Sequence, residues 1–149
     1  MKKSNGNFGT NKWVTAAYIS QLLTAAIHSL SFVKEPIPQN ATEKQLMDLM
    51  TNYKQNLGAG FSPTTSDIMT ALSACMTLLC LASGLTLWRL SRSAPATKTM
   101  QGIMAIQTIV FGIGFVVMLF FTFLPPIVCF GLIFISCGGA YLNYFRQKE

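Results

Sequence analysis

The chain has 149 residues, of which 51% are apolar and only 11% charged, with a mean hydropathy of +0.43. Those proportions exclude an ordinary water-soluble globule and fit a single integral membrane domain. The net charge of +6 would point to nucleic acid in a soluble chain, but the cations here flank apolar runs, so no nucleic acid is expected.

Residues 1–12 are polar and basic, with Lys2, Lys3 and Lys12, and Trp13 follows where an interfacial aromatic belt would stand. The first apolar run is 14–33. A basic start before an apolar run has the outline of a signal peptide, and Ser29-x-Ser31 could mimic a cleavage site. The length of the run and its interruption by Ser20, Gln21 and Thr24 favour a retained span. Tyr18, Gln21, Thr24, His28 and Ser31 recur at three- and four-residue spacing, which places them on one helical face. Turned to lipid, that face would leave amide and imidazole groups unpaired, so it should face other helices. It reads first as interhelical hydrogen-bond glue and second as a polar pocket or proton path in which His28 titrates. His28 is the sole histidine, so neither a bis-histidine haem nor a metal site is expected.

Residues 34–67 form the one substantial polar stretch. Pro36 and Pro38 should break the first helix, and Thr42-Glu43-Lys44-Gln45 has the form of a capping box. The predicted helix runs over 43–57, stopped by Gly58 and Gly60, with Leu46, Leu49, Met50, Tyr53 and Leu57 on one apolar face. It is too short and too charged to span. It should lie on the membrane surface, as a lid on its own bundle or a surface for docking a partner. Asn40-Ala41-Thr42 matches a glycosylation sequon, a triplet that also arises by chance.

The second span is predicted at 68–88, with Ser66 or Asp67 as N-cap and Thr70, Ser73, Thr77 and Gly84 along one small-residue side. Arg89, Arg92 and Lys98 make a basic loop in which Pro95 separates two helices. From Thr99 to Phe145 there is no Lys, Arg, Asp or Glu. This stretch supplies two further spans, 102–124 and 127–145, with a turn expected at Pro125-Pro126. Gln107, Gly112 and Gly114 in the third span, and Gly131, Gly138 and Gly139 in the fourth, offer tight-packing or polar spots. The phenylalanines from Phe111 to Phe134 read as lipid-facing or core ballast, and Tyr141 and Tyr144 as a closing aromatic belt. Cys75, Cys80, Cys129 and Cys137 all lie in apolar runs without a C-x-x-C, so they read as small hydrophobes, with a disulfide neither supported nor excluded.

Charge sets the expected orientation. Lys2, Lys3, Lys12, Arg89, Arg92, Lys98, Arg146 and Lys148 fall on one side, whereas Lys34, Lys44 and Lys54 fall on the other beside Glu35, Glu43, Asp48 and Asp67. The positive-inside rule then places both termini in the cytoplasm and the short amphipathic helix outside.

The layout resembles a group of small four-span bacterial membrane proteins that are broadly DoxX-like. It is carried by Ala25-Ala26-Ile27-His28-Ser29-Leu30, then Leu46 to Leu57, then Gly60-Phe61 through Trp88, about half the chain. The DoxX-like comparison would imply a quinone or redox link, but no residue matches a catalytic motif, and that role is not carried over. The expectation is an all-α membrane protein, a four-transmembrane-helix bundle with an extracytoplasmic amphipathic helix between spans one and two. Paired carboxylates, nucleophile–base sets and phosphate loops do not occur in the sequence. The expected role is therefore a non-enzymatic subunit or scaffold of a bacterial inner-membrane assembly, with a membrane-protein partner or a second copy and no cofactor. The alternative is a lipid, quinone or proton site around Tyr18, Gln21, Thr24 and His28.

Overall fold

A computed structural model describes residues 11–32, 37–93 and 95–146. The expected end of the first span at Val33, the break at Pro36 and the cations Lys2, Lys3, Lys34 and Lys148 lie outside the described residues. The described residues form five α-helices: α1 (Lys12–Ser29), α2 (Ala41–Asn52), α3 (Thr65–Arg92), α4 (Thr97–Phe121) and α5 (Leu124–Arg146). A single 3-10 turn, Leu30–Phe32, follows α1, and the described residues include no strand. α3, α4 and α5 are long and apolar enough to cross a membrane. At 1.5 Å per residue their 28, 25 and 23 residues reach about 42, 38 and 35 Å, beyond the ~30 Å of hydrocarbon. α1, with 18 residues, is not among these three because Lys12, Gln21 and His28 dilute its apolar content.

The apolar windows of α3 and α4 are only 11% buried by protein, so most of their large side chains point outward. Ile106, Ile109, Val110 and Ile113 on α4 are all more than half exposed. Lipid, not water, is the solvent such surfaces require. This is a helical membrane protein.

The chain divides into two compact units, residues 1–24 with 80–149, and residues 25–79. In the first unit the α4–α5 hairpin dominates the packing. The order of contacts makes it antiparallel: Thr108 meets Gly138, Gly112 meets Phe134, and Gly114 meets Phe130. Glycine on each helix admits a ring from the other. A Cβ on Gly114 would stand 2.6 Å from the Phe130 ring, and one on Gly131 would stand 3.1 Å from Phe115. Phe115 and Phe134 stack at 6.1 Å between centroids, and Phe111 and Phe130 tilt together at 5.8 Å. These four rings are therefore packing elements, whereas Phe120, Phe121 and Phe123 are exposed and fit the lipid-facing reading.

The turn between α4 and α5 departs from expectation. α4 ends at Phe121, where the Thr122 N–H and hydroxyl both donate to Met118 O, at 3.1 and 2.7 Å. The chain reverses at Thr122-Phe123, and Pro125-Pro126 lie in the first turn of α5. Proline is tolerated there because first-turn N–H groups have no helical partner to lose. The proline pair opens a helix and does not form the turn itself.

α1 runs antiparallel to α5, with Asn11 bonded to Asn143, the Trp13 ring against Gly139, and Gln21 beside Cys137. Only four residues separate α3 from α4 in sequence, and Ser83 of α3 meets Gln107 of α4 at a matching distance from that link, so this pair is antiparallel too. The start of α1, the end of α3, the start of α4 and the end of α5 thus share one end of this unit. All five of the unit's described cations, Lys12, Arg89, Arg92, Lys98 and Arg146, gather there. The aromatic residues Trp13, Trp88, Tyr141 and Tyr144 stand at the same end, with the Arg92 guanidinium 5.8 Å from the Trp88 ring centroid. Cations and ring belt together are what a membrane–water interface selects.

In the second unit the expected capping moves upstream. Asn40, not Thr42, is the N-cap of α2: its side chain accepts from the Glu43 N–H at 2.8 Å, while the Glu43 carboxylate accepts from the Gln39 N–H at 2.6 Å. α2 also ends early, at Asn52, and the predicted tail 53–57 is not helical. It pairs back on the following segment, through a Lys54–Thr64 bridge and the bonds Gln55 N–H to Pro63 O and Leu57 N–H to Phe61 O. Gly58, Ala59 and Gly60 turn this hairpin with φ of +84°, +50° and +82°, a run only glycine-rich sequence adopts cheaply. The start of α3 differs as well. Thr64 is the cap, accepting from the Asp67 N–H at 3.1 Å, and Asp67 returns the contact to the Thr64 N–H and hydroxyl at 2.9 and 2.8 Å.

Candidate functional site

The polar face expected on α1 is only partly gathered. Gln21 is fully buried and Thr24 nearly so, while Tyr18 and His28 are half-buried. His28 stands edge-on to Phe32, with ring centroids 6.5 Å apart. What the structure assembles is a different set, one residue from each helix of the first unit: Gln21 of α1, Ser83 of α3, Gln107 of α4 and Cys137 of α5.

The geometry is a short chain of neutral groups. Gln21 Nε2 donates to Gln107 Oε1 at 3.0 Å and lies 3.8 Å from Cys137 Sγ. Gln107 Nε2 donates to Ser83 Oγ at 2.7 Å, and that hydroxyl also lies 3.0 Å from Gln107 Oε1, to which it can donate. Close approach makes this possible. A Cβ on Gly84 would stand 3.0 Å from the Leu22 side chain and 3.3 Å from Gln21 Cβ, so glycine lets α1 lie against α3 beside Ser83. Leu87, Met104 and Ile133 are also fully buried and exclude water from this core. Gln21 Oε1 is buried with no hydrogen-bond partner.

Chemically the cluster holds amides, a hydroxyl and a thiol, and it lacks a group that exchanges protons near neutral pH. It can fix the register of four helices, and its unmatched Gln21 carbonyl can accept one more hydrogen bond. No group of three or more metal-ligating side chains occurs among the described residues. All four cysteines are free thiols, with Cys80 and Cys137 buried and Cys75 exposed.

Sequence reasoning located Gln21 and singled out Gln107 as a polar spot, but it missed Ser83 and the part played by Cys137. Ser83 carries no periodic signal, because it sits next to the Thr70–Gly84 row and not on it. Depth was the usable clue: Gln107 is ten residues into α4 and Ser83 nine residues from the end of α3, so an antiparallel pair meets there.

The expected docking residues are split between α2, which carries Leu46, Leu49 and Met50, and the segment after it, which carries Tyr53 and Leu57. Leu46, Leu49, Tyr53 and Leu57 are each exposed by more than half, Met50 is half-buried, and no α2 residue is buried. Comparison with known proteins adds no family: no family model matches the chain, no curated protein matches it, and no solved structure matches its fold.

Proposed function

We propose that this chain is a small, non-enzymatic subunit or scaffold of a bacterial inner-membrane assembly, with α1 as a fourth span beside α3, α4 and α5. The uncovered apolar face of α2 carries this reading. Leu46 and Leu49 on α2, and Tyr53 and Leu57 just beyond it, are exposed large side chains, while the Nε2 of Gln21, the amide expected to build a pocket on α1, donates to Gln107 inside the first unit. The gathering of Lys12, Arg89, Arg92, Lys98 and Arg146 at one end supports cytoplasmic termini, with α2 on the opposite, extracytoplasmic side. With its 3-10 extension α1 reaches about 33 Å, enough to cross if Gln21 is satisfied by neighbours. The DoxX-like layout belongs to the same proposal and brings no activity with it.

The test is purification of the intact protein from its native membrane in mild detergent. A stoichiometric membrane-protein partner or a defined homo-oligomer, lost when Leu49 and Tyr53 are made acidic, supports the reading. A lone protein carrying a bound lipid or quinone overturns it. A second reading, a small-molecule or proton site on α1, is favoured by one observation, the unpaired Gln21 Oε1. A bound molecule whose retention depends on Gln21 would select it.

A further inference from the structure

We propose that the cleft between the start of α1 and the end of α5 binds the headgroup phosphate of an anionic glycerophospholipid from the surrounding bilayer. The cleft holds about 170 Å³ and is lined by Trp13, Gly139, Leu142, Asn143 and Arg146. That is the liquid volume of about five or six waters, ample for a phosphate and its glycerol neck.

Its walls have the order a lipid needs. Trp13 and Leu142 are exposed apolar walls, whereas Asn143 and Arg146 are polar and stand nearest the helix end. Gly139 makes room for Trp13: the Trp13 ring lies where any larger residue would place its Cβ, which brings the indole against α5 as one wall of the cleft. Asn11 fixes the mouth. It accepts from the Trp13 N–H at 3.1 Å and donates to Asn143 Oδ1 at 3.4 Å, tying the two helix ends together.

Charge decides the occupant. The described residues of this unit include Lys12, Arg89, Arg92, Lys98 and Arg146 and not one Asp or Glu. Among the described residues of this unit no carboxylate stands against Arg146, so its guanidinium is available to an anion at this end. A guanidinium is the side chain best matched to a phosphate diester. Anionic headgroups at the level of the aromatic belt are the anions always present there. The inference needs only that this end of the helices lies at a bilayer surface, whichever leaflet that is.

The experiment uses Trp13 as reporter. The full chain carrying Trp88→Phe is reconstituted in phosphatidylcholine vesicles doped with phosphatidylglycerol or phosphatidylcholine brominated in the acyl chains, and quenching of Trp13 is compared. Phosphatidylglycerol should associate about fivefold more strongly, the equivalent of about 1 kcal/mol for one cation at a lipid surface. Added Arg146→Gln should bring the two lipids to parity, Arg146→Lys should retain most of the preference, and Lys98→Gln should leave it intact. Equal quenching by both lipids in the parent overturns the proposal, as does a preference that survives Arg146→Gln. Loss on Lys98→Gln to the same degree would mean diffuse surface attraction and no site. Abolition by inorganic phosphate, but not by chloride at matched ionic strength, would assign the cleft to a free anion and overturn the lipid.

Discussion

Gln21 and Gln107 share one hydrogen bond, yet their removal should have unequal effects. Gln21→Leu deletes the Nε2–Oε1 bond at 3.0 Å, a loss of about 0.6 and at most about 1.7 kcal/mol for an interhelical bond in a membrane protein. The same change removes the buried, unpaired Oε1, which relieves a desolvation penalty of about 1–3 kcal/mol. Gln107 Oε1 still has the Ser83 hydroxyl within 3.0 Å, so nothing new is orphaned. The net change lies between a loss of about 1 kcal/mol and a gain of about 2. Gln107→Leu is different. It deletes the bonds to both Gln21 and Ser83 and leaves the Gln21 amide without an acceptor on α4, so it should destabilise by at least about 2 kcal/mol.

The assay is unfolding of the intact protein by titrating sodium dodecyl sulfate into mild-detergent micelles, followed by the fluorescence of Trp13 and Trp88. Gln21→Leu should unfold close to or above the wild-type midpoint, at most about 1 kcal/mol less stable, and Gln107→Leu clearly below it. The double variant should recover part of the Gln107→Leu loss, because the stranded Gln21 amide is gone. If Gln21→Leu is as damaging as Gln107→Leu, the Gln21 carbonyl has a partner and the reasoning fails. The α1 polar site would then become the better account of the protein.

Three further outcomes follow from packing, exposure and charge. Gly114→Ala puts a Cβ 2.6 Å from the Phe130 ring and should cost about 1–3 kcal/mol in the same titration, whereas Gly102→Ala meets nothing within 4 Å and should be neutral or slightly stabilising. Leu49→Asp with Tyr53→Asp changes side chains 60% and 64% exposed, so the unfolding midpoint should stay put while co-purification of any partner is lost; a lowered midpoint would show that the face packs on the chain itself. A reporter active only outside the cytoplasm should be active when fused after Gln39 and silent after Ser93, and the reverse pattern would overturn the orientation drawn from the cation end.

The class and most helix positions were legible because apolar content and charge placement act over twenty residues at a time. The failures are local. Thr42 looked like a cap, yet Asn40 two residues earlier offers an equally good acceptor, and Glu43 serves it at N3 just as Gln45 would have served Thr42. Leu57 continued the three- and four-residue spacing of α2 but belongs to a hairpin, because glycines at 58 and 60 favour a turn with positive φ over a helix stop. Spacing reports which side chains could share a face and says nothing about whether the backbone stays helical. The polar site was half legible for a related reason: Gln21 announces itself by being costly in an apolar run, whereas Ser83 costs little and is placed by its neighbours.

That asymmetry bears on the proposal that α1 is a fourth span. A glutamine amide facing hydrocarbon would leave donors and an acceptor unpaired, several kcal/mol against insertion. In the structure Gln21 faces Gln107, the sole strongly polar side chain between Lys98 and Asn143 apart from one more glutamine, Gln101, in the first turns of α4. Each amide makes the other tolerable, so α1 and α4 are each poor lipid-facing surfaces at that level and a good pair. Ser83 and the small residue Gly84 complete the match from α3. The bundle is thereby specified by a few polar contacts, while apolar side chains that face lipid contribute little to choosing one helix neighbour over another. A protein built this way leaves its apolar outer surfaces to lipid, which is the condition the proposed subunit role requires.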